Sequence, residues 1–340
     1  MFLYNVTVVT KERNTMKKLF LVITLFLLIT ATISNVAANG NTDSDGKIQI
    51  GISKLLAHPA LDQIEKGIKD YLAENGIDAD IETQNANGDI STATSIAQVF
   101  KTEGKDLVVG IATPTAQALA NTFTEIPVVF ATVTDPEAAG LEGLENVAGT
   151  SDMVPLAEHL RLMIETVNPK RIGMVYTSSE ANGIELMEAM KEKCEEMGIE
   201  LVTASVANSA EVMMATLSIV DRIDAMYVAT DNTVVSAISS LSSVCMDNSV
   251  PLFSADTTSA FGSDVFLAGG FDYYKSGLLT GEVIKRMIDG ENPKDIGTLY
   301  LEDLEIYVNL DVAEKLGIEI PSDIIERATY IIGNGTQIDS

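Results

Sequence analysis

The sequence predicts an α/β protein made of two doubly wound, parallel-sheet lobes joined by three crossover segments. Three observations carry that expectation. Short apolar runs alternate with amphipathic helical patterns. The alternation restarts at a spacing of about 120 residues, the mark of an internal repeat. The chain has 340 residues, too many for one core of ordinary size and suited to two.

The first segment is not part of either lobe. Residues 16–38, "MKKLFLVITLFLLITATISNVAA", place two lysines before an apolar run from Leu19 to Ala31 and then a stretch of small residues. That is the order of a secretory signal, with Val36 and Ala38 framing a cleavage site. The run falls short of the roughly 20 residues that cross a bilayer, which disfavours an uncleaved anchor. Residues 1–15 fit neither a signal nor a domain, so Met16 is a candidate start. The expected division is a leader and signal over 1–38, lobe 1 over 46–150 plus 269–300, and lobe 2 over 151–268 plus 301–330.

Lobe 1 reads in order. "IQIGIS" (48–53) is a strand, and 59–75 a helix with Pro59 suited to its first turn. "DADIETQ" (78–84) is a strand, 91–103 a helix, and "DLVVGIA" (106–112) a strand. Pro114 starts a short helix to about Asn121, and "PVVFA" (127–131) is the fourth strand. Lobe 2 repeats the series with strands at 171–176, 199–206, 224–230 and 251–255 and helices at 181–197, 208–219 and 232–247. Strands separated by helices indicate βαβ units and a parallel sheet. In the last 70 or so residues, 264–274 reads as a strand running into a helix, "GTLYLEDLEIYVN" (297–309) as a hairpin-like pair, and 322–328 as a final helix. These segments cross back and finish each lobe.

Composition excludes several functions. Hydrophobic residues make up 46% and charged residues 21%, as in a globular protein. Losing residues 1–38 removes four basic residues and one acidic one, which takes the formal charge from −27 to −30. Such a charge repels nucleic acid and anionic lipid. Two histidines, His58 and His159, argue against a histidine metal site, and no metal or cofactor is expected. His58 reads as the end of a loop ahead of Pro59, with no nucleophile paired to it. Cys194 and Cys245 lack metal spacing and fall on the first and third helices of lobe 2, which cover opposite faces of a doubly wound sheet. They are expected to be buried free thiols. No G-x-S-x-G, H-E-x-x-H or dinucleotide fingerprint occurs, so the chain is not expected to be an enzyme.

In an open parallel sheet the ligand crevice lies outside the carboxyl ends of the strands. Small polar residues collect there in both halves. The first half offers Ser53, Thr113, Thr115, Thr132 and Asp135. The second offers Tyr176, Ser178, Ser179, Asn182, Asp231, Asn232 and Asp256. Each is also an ordinary cap or turn residue, so only their joint placement speaks for a cleft. After residue 38 the arginines are Arg161, Arg171, Arg222, Arg286 and Arg327, none at a strand end. A polyanion has no receptor here. Carboxylates suit an ammonium, and helix N-termini suit a carboxylate, so a zwitterion meets both demands.

The stretches "HPALDQIEKGIKDYL", "IETQNANGDISTATSIAQVF", "GIATPTAQALAN", "IPVVFATVTDPEAAGL", "SSEANG", "YVATDNTVVSAI" and "GGFDYYKSGLLTGE" follow one another over nearly all of 47–330. In these the chain resembles the solute-binding proteins of ABC transporters with the type I periplasmic-binding fold, in the tryptophan and tyrosine receptor branch. The resemblance implies two lobes joined by three crossing strands, an exported monomer, a small-molecule ligand (in the branch named, an aromatic amino acid), and delivery to an ABC permease. Carried over by motif, it implies ligand contacts from Thr113, Thr115, Thr132, Asp135, Ser179, Asn182, Asp231, Asn232, Asp256 and Asp272. Phe130, Tyr176, Phe271 and Tyr273 are the aromatic candidates, since the chain has no tryptophan. No lipobox cysteine follows the signal, so tethering falls to the permease or to an uncleaved anchor in the extracellular or envelope space. An exported sensory module reporting to a membrane receptor is the alternative; a transmembrane helix after the lobes would favour it.

Overall fold

The computed structural model describes residues 46–334 and 336–338; the expected signal segment lies outside them. Sheet 1 is built from β1 (Ile48–Lys54), β2 (Ala79–Asn85), β3 (Leu107–Ile111), β4 (Val128–Ala131), β5 (Val147–Ser151) and β11 (Thr298–Tyr300). Their order is β11-β5-β4-β3-β1-β2, and every neighbouring pair is parallel. Strand β3 reads LVVGI and is buried at every position, as a strand covered on both faces must be. Between the strands run α1 (Pro59–Glu74), α2 (Ile90–Glu103) and α3 (Thr113–Thr122). Asp89 caps α2 by accepting from the Thr92 N–H, and Gly104 ends it in the left-handed conformation at φ 72°.

Sheet 2 holds β6 (Arg171–Thr177), β7 (Glu200–Val206), β8 (Ala225–Val228), β9 (Leu252–Ser254) and β10 (Leu267–Gly270). To these it adds β12 (Glu305–Asn309), β13 (Tyr330–Gly333) and β14 (Thr336–Ile338), in the order β14-β13-β12-β10-β9-β8-β6-β7. Strands β6 to β10 pair in parallel; β12 meets β10 antiparallel. The covering helices are α4 (Leu156–Val167), α5 (Ala181–Glu196), α6 (Val212–Ile219), α7 (Asn232–Ser236) and α8 (Ile238–Asp247), and later α11 (Leu310–Leu316) and α12 (Ser322–Arg327).

The chain passes from one sheet to the other three times, at 152–155, 271–272 and 301–304. After the second passage α9 (Tyr273–Ile288) returns to sheet 1 and lies against α1; the short α10 (Pro293–Ile296) leads into β11. Gly67 and Gly277 permit that close approach. A Cβ on Gly277 would stand 2.3 Å from the Ile64 carbonyl oxygen, and one on Gly67 2.3 Å from that of Tyr274. Each sheet has an apolar core on both faces. One face of sheet 1 packs Ile64, Ile68 and Ile284, the other Phe100, Leu119 and Phe130. Sheet 2 packs Met174, Leu186 and Phe266 on one side and Val228, Leu241 and Ile219 on the other.

The two-sheet α/β fold is the one expected, with several local differences. The stretch 297–309 is not a hairpin-like pair. β11 joins β5 in sheet 1, while β12 joins β10 in sheet 2. The intervening Leu301–Leu304, "LEDL", lacks the glycine or asparagine that a tight hairpin turn needs. Strand β5 and helix α4 escaped the periodicity reading, because β5 is short, buried throughout and contains Gly149. The helix expected over 232–247 is two helices, parted at Ala237.

Candidate functional site

The carboxyl ends of the two sheets face one cavity, whose empty space, counting the part open to solvent, is about 350 Å³. From sheet 1 it receives Thr113 after β3, Thr132 and Thr134 after β4, and Asp152 after β5. His58, ahead of α1, completes that side. From sheet 2 come Asn182 at the start of α5, Thr230 and Asn232 after β8, and Asp256 after β9. Tyr273 enters from the second crossing, and Leu61 and Val235 supply apolar wall.

Two carboxylates dominate the electrostatics. Asp152 accepts from the Thr134 hydroxyl at 3.2 Å and from the Tyr273 hydroxyl at 3.2 Å. Burial outweighs both bonds and pushes its carboxyl up to about 7, and the nearby Asp256 adds to the rise. Asp256, 1% exposed, accepts from the backbone N–H of Thr258 at 2.8 Å, from that of Ser259 at 3.2 Å and from the Ser259 hydroxyl. It therefore both braces its own turn and lines the cavity. Among the described residues no lysine or arginine lines it.

The backbone here is strained. Ala112 has φ 80° and ψ 155°, and Thr132 has φ 53°. These conformations cost residues with a Cβ about 1–3 kcal/mol each and cluster at ligand sites. The two residues follow adjacent strands, where the Ala112 N–H donates to the Ala131 carbonyl at 3.1 Å. This arrangement turns the start of α3 toward the cavity.

Of the residues singled out from sequence, Thr113, Thr132, Asn182, Asn232, Asp256 and the aromatic candidate Tyr273 come together at the cavity. The others do not line it. The Thr115 hydroxyl turns back to the carbonyls of Ile111 and Ala112. Asp135 braces the turn that follows it by accepting from the Ala138 N–H. Ser179 is exposed, and Tyr176 lies half-buried at the edge of the sheet 2 core. Asp272 caps α9 and pairs with Lys275 at 3.5 Å. Asp231 points inward, accepting from the Thr177 N–H at 2.6 Å, the Thr177 hydroxyl at 2.8 Å and the Val234 N–H at 3.1 Å. Burial, with Glu180 beside it, pushes its carboxyl up to about 7. Phe130 and Phe271 belong to the cores.

Sequence reasoning missed Asp152, Thr134 and Thr230, and it read His58 as a loop end. Asp152 hid behind the unrecognised β5. His58 carried a usable signal: the residue before a proline is pushed to extended backbone. Here φ −152° and ψ 163° leave its ring in the cavity.

The pattern of the ABC transporter substrate binding protein family matches residues 49–332. The chain belongs to that family. The substrate-binding protein is 36% identical over 296 residues to a tyrosine-binding protein of Clostridioides difficile (strain R20291), covering 83% of this chain and 85% of that one. Among solved structures it is similar to a Streptococcus pneumonia protein in complex with L-Trp, at 31% identity and a TM-score of 0.81, covering 84% of this chain and all of that one. It is also similar to a ligand-free, open substrate-binding protein with adhesive properties from Clostridium difficile, at 36% identity and a TM-score of 0.64, over the same shares. The substrate-binding protein thus has the type I periplasmic-binding fold and is an exported component of an ABC transporter. Its relatives are ligand-binding transport components.

Proposed function

We propose that the substrate-binding protein captures a zwitterionic amino acid with an aromatic side chain in the interlobe cleft and delivers it to the permease. The observation that carries this reading is the meeting of Asp152 and Asp256, from opposite sheets, in one cavity that no lysine or arginine lines among the described residues. An ammonium answers both carboxylates, and each hydrogen bond to a charged group contributes about 1.5–3 kcal/mol. The ligand carboxylate is met by the Thr113 hydroxyl and the N-terminal turn of α3, whose dipole and free N–H groups favour an anion. Leu61, Val235 and Tyr273 offer the apolar wall for a ring.

The relatives support the same class, one named for tyrosine and one solved with L-Trp. At comparable identity, the TM-score is 0.81 to the L-Trp complex and 0.64 to the ligand-free, open protein, which favours a closed arrangement of the lobes here. Lobes of 46–150 plus 269–300 and 151–268 plus 301–330 would hinge at the three crossings. The segment 16–38 acts as a cleaved signal, and the mature monomer is held at the envelope by its permease. Titration calorimetry with phenylalanine, tyrosine and tryptophan, beside the corresponding decarboxylated amines, tests the reading. Amines binding as tightly as the amino acids would sink the two-ended clamp.

A further inference from the structure

His58 is 8% exposed, and among the described residues neither ring nitrogen has a hydrogen-bond partner in good geometry. Two more buried polar atoms of the same cavity are unpartnered, Asn182 Oδ1 and Thr230 Oγ1. The Asn182 side chain is held in place, because its Nδ2 donates to the Thr230 carbonyl at 3.1 Å. Burial pushes its imidazole down and prevails over the charge of Asp256 and a long side-chain approach of Asn232, both of which favour the charged ring, so the ring is neutral near pH 7. A neutral imidazole offers one donor and one acceptor.

These unpartnered atoms share the cavity with Asp152, and Asp256 acts electrostatically on both His58 and Asp152. His58 follows β1 and Asp152 follows β5, and the order β5-β4-β3-β1 sets those strands three spacings apart. At about 4.8 Å per spacing the strand axes lie roughly 14 Å apart, and the two side chains converge from them on one cavity. Ala60, Leu61 and Val235 line the cavity beside the polar cluster and are suited to the ring.

We propose that His58 is a specificity-determining residue of this cleft: it hydrogen-bonds the hydroxyl of a phenolic side chain and selects tyrosine over phenylalanine. The inference rests on the aromatic amino-acid reading above. A phenol is at once donor and acceptor, so it pairs with the imidazole and with Asn182 Oδ1 or Thr230 Oγ1. Phenylalanine would bury the same polar atoms and leave them unmatched, which is how sites built for a hydroxyl reject the analogue lacking it.

Calorimetry on the full-length purified protein with tyrosine and phenylalanine tests this in wild type, His58→Leu and His58→Gln. Wild type is expected to prefer tyrosine by roughly 100-fold or more. His58→Leu should bring the ratio to within about 3-fold by weakening tyrosine alone, and retained phenylalanine binding reports that the variant is folded. His58→Gln, which keeps a donor and an acceptor, should restore part of the preference. Equal binding of the two ligands by wild type, or an equal loss of both in His58→Leu, would overturn the role of His58. Binding of neither ligand by wild type would overturn the aromatic reading itself, and this inference with it.

Discussion

Tyr273 donates its phenolic hydroxyl to Asp152 at 3.2 Å, joining residues 121 apart in sequence. Asp152 begins the first passage between the sheets, and Tyr273 follows the second. The bond therefore ties two of the three crossings to each other at the floor of the cleft.

Asp152 makes ligand binding and stability depend on pH in opposite ways. Its carboxyl is pushed up from the ordinary 3.8 to about 7, so between those values the native chain holds a proton that the unfolded chain has lost. Stability of the ligand-free protein from this group thus falls as pH rises through that window, and the loss is complete above about 7. An ammonium ligand needs the ionised form, so affinity should rise with pH up to about 7 and then level. Asp152→Asn should weaken binding about 10-fold or more and raise ligand-free stability at pH 8 by about 1–3 kcal/mol. Calorimetry and thermal melts across pH 5–8 check both halves.

Asp231 and Asp256 both follow a strand of sheet 2, yet their substitutions should differ. Asp231→Ala removes a helix cap and strands the Thr177 N–H, which should cost about 2–3 kcal/mol and leave ligand affinity within about 3-fold. Asp256→Ala should cost about 1 kcal/mol of turn stability and also weaken amino-acid binding roughly 10- to 100-fold. Chemical denaturation beside calorimetry separates them.

Gly277→Ala should destabilise lobe 1 through the contact of α9 with α1. The added Cβ would meet the Ile64 backbone oxygen, which cannot move without shifting α1. A loss of about 2–4 kcal/mol is expected, read from the denaturation midpoint. Gly290→Ala supplies the comparison, since no atom lies within 4 Å of its added Cβ and only its φ of 92° opposes it.

The two thiols should stay silent in the native protein. Both are free and buried, and Cys194 and Cys245 belong to cores on opposite faces of sheet 2. Burial pushes Cys194 up to about 11 and Cys245 up to about 12, so little thiolate exists near neutrality. A colourimetric thiol reagent should react only after denaturation, and non-reducing peptide maps should show no bridge.

Much of this architecture was written in the chain. The buried run LVVGI and the repeated strand-helix order call for parallel sheets, and turn residues between them set the βαβ units. The end of each sheet at which polar groups collect also follows from sequence, because strand ends there lead into helices that need caps. What the chain did not reveal locally is which of those groups looks into the cleft. "ATDN" and "SAD" read alike, but Asp231 is drawn inward by Thr177 on the neighbouring strand β6, while Asp256 is braced by its own turn at the cavity wall. Asp152 and His58 are further cases. One follows a strand too short and too fully buried to show a period, and the other precedes a proline in what reads as a plain loop. The direction of a side chain at a strand end depends on partners that only the packing of distant segments supplies. Sequence determined the two lobes and their polar rim; the folded structure decided that Asp152, Asp256 and His58 share one cavity.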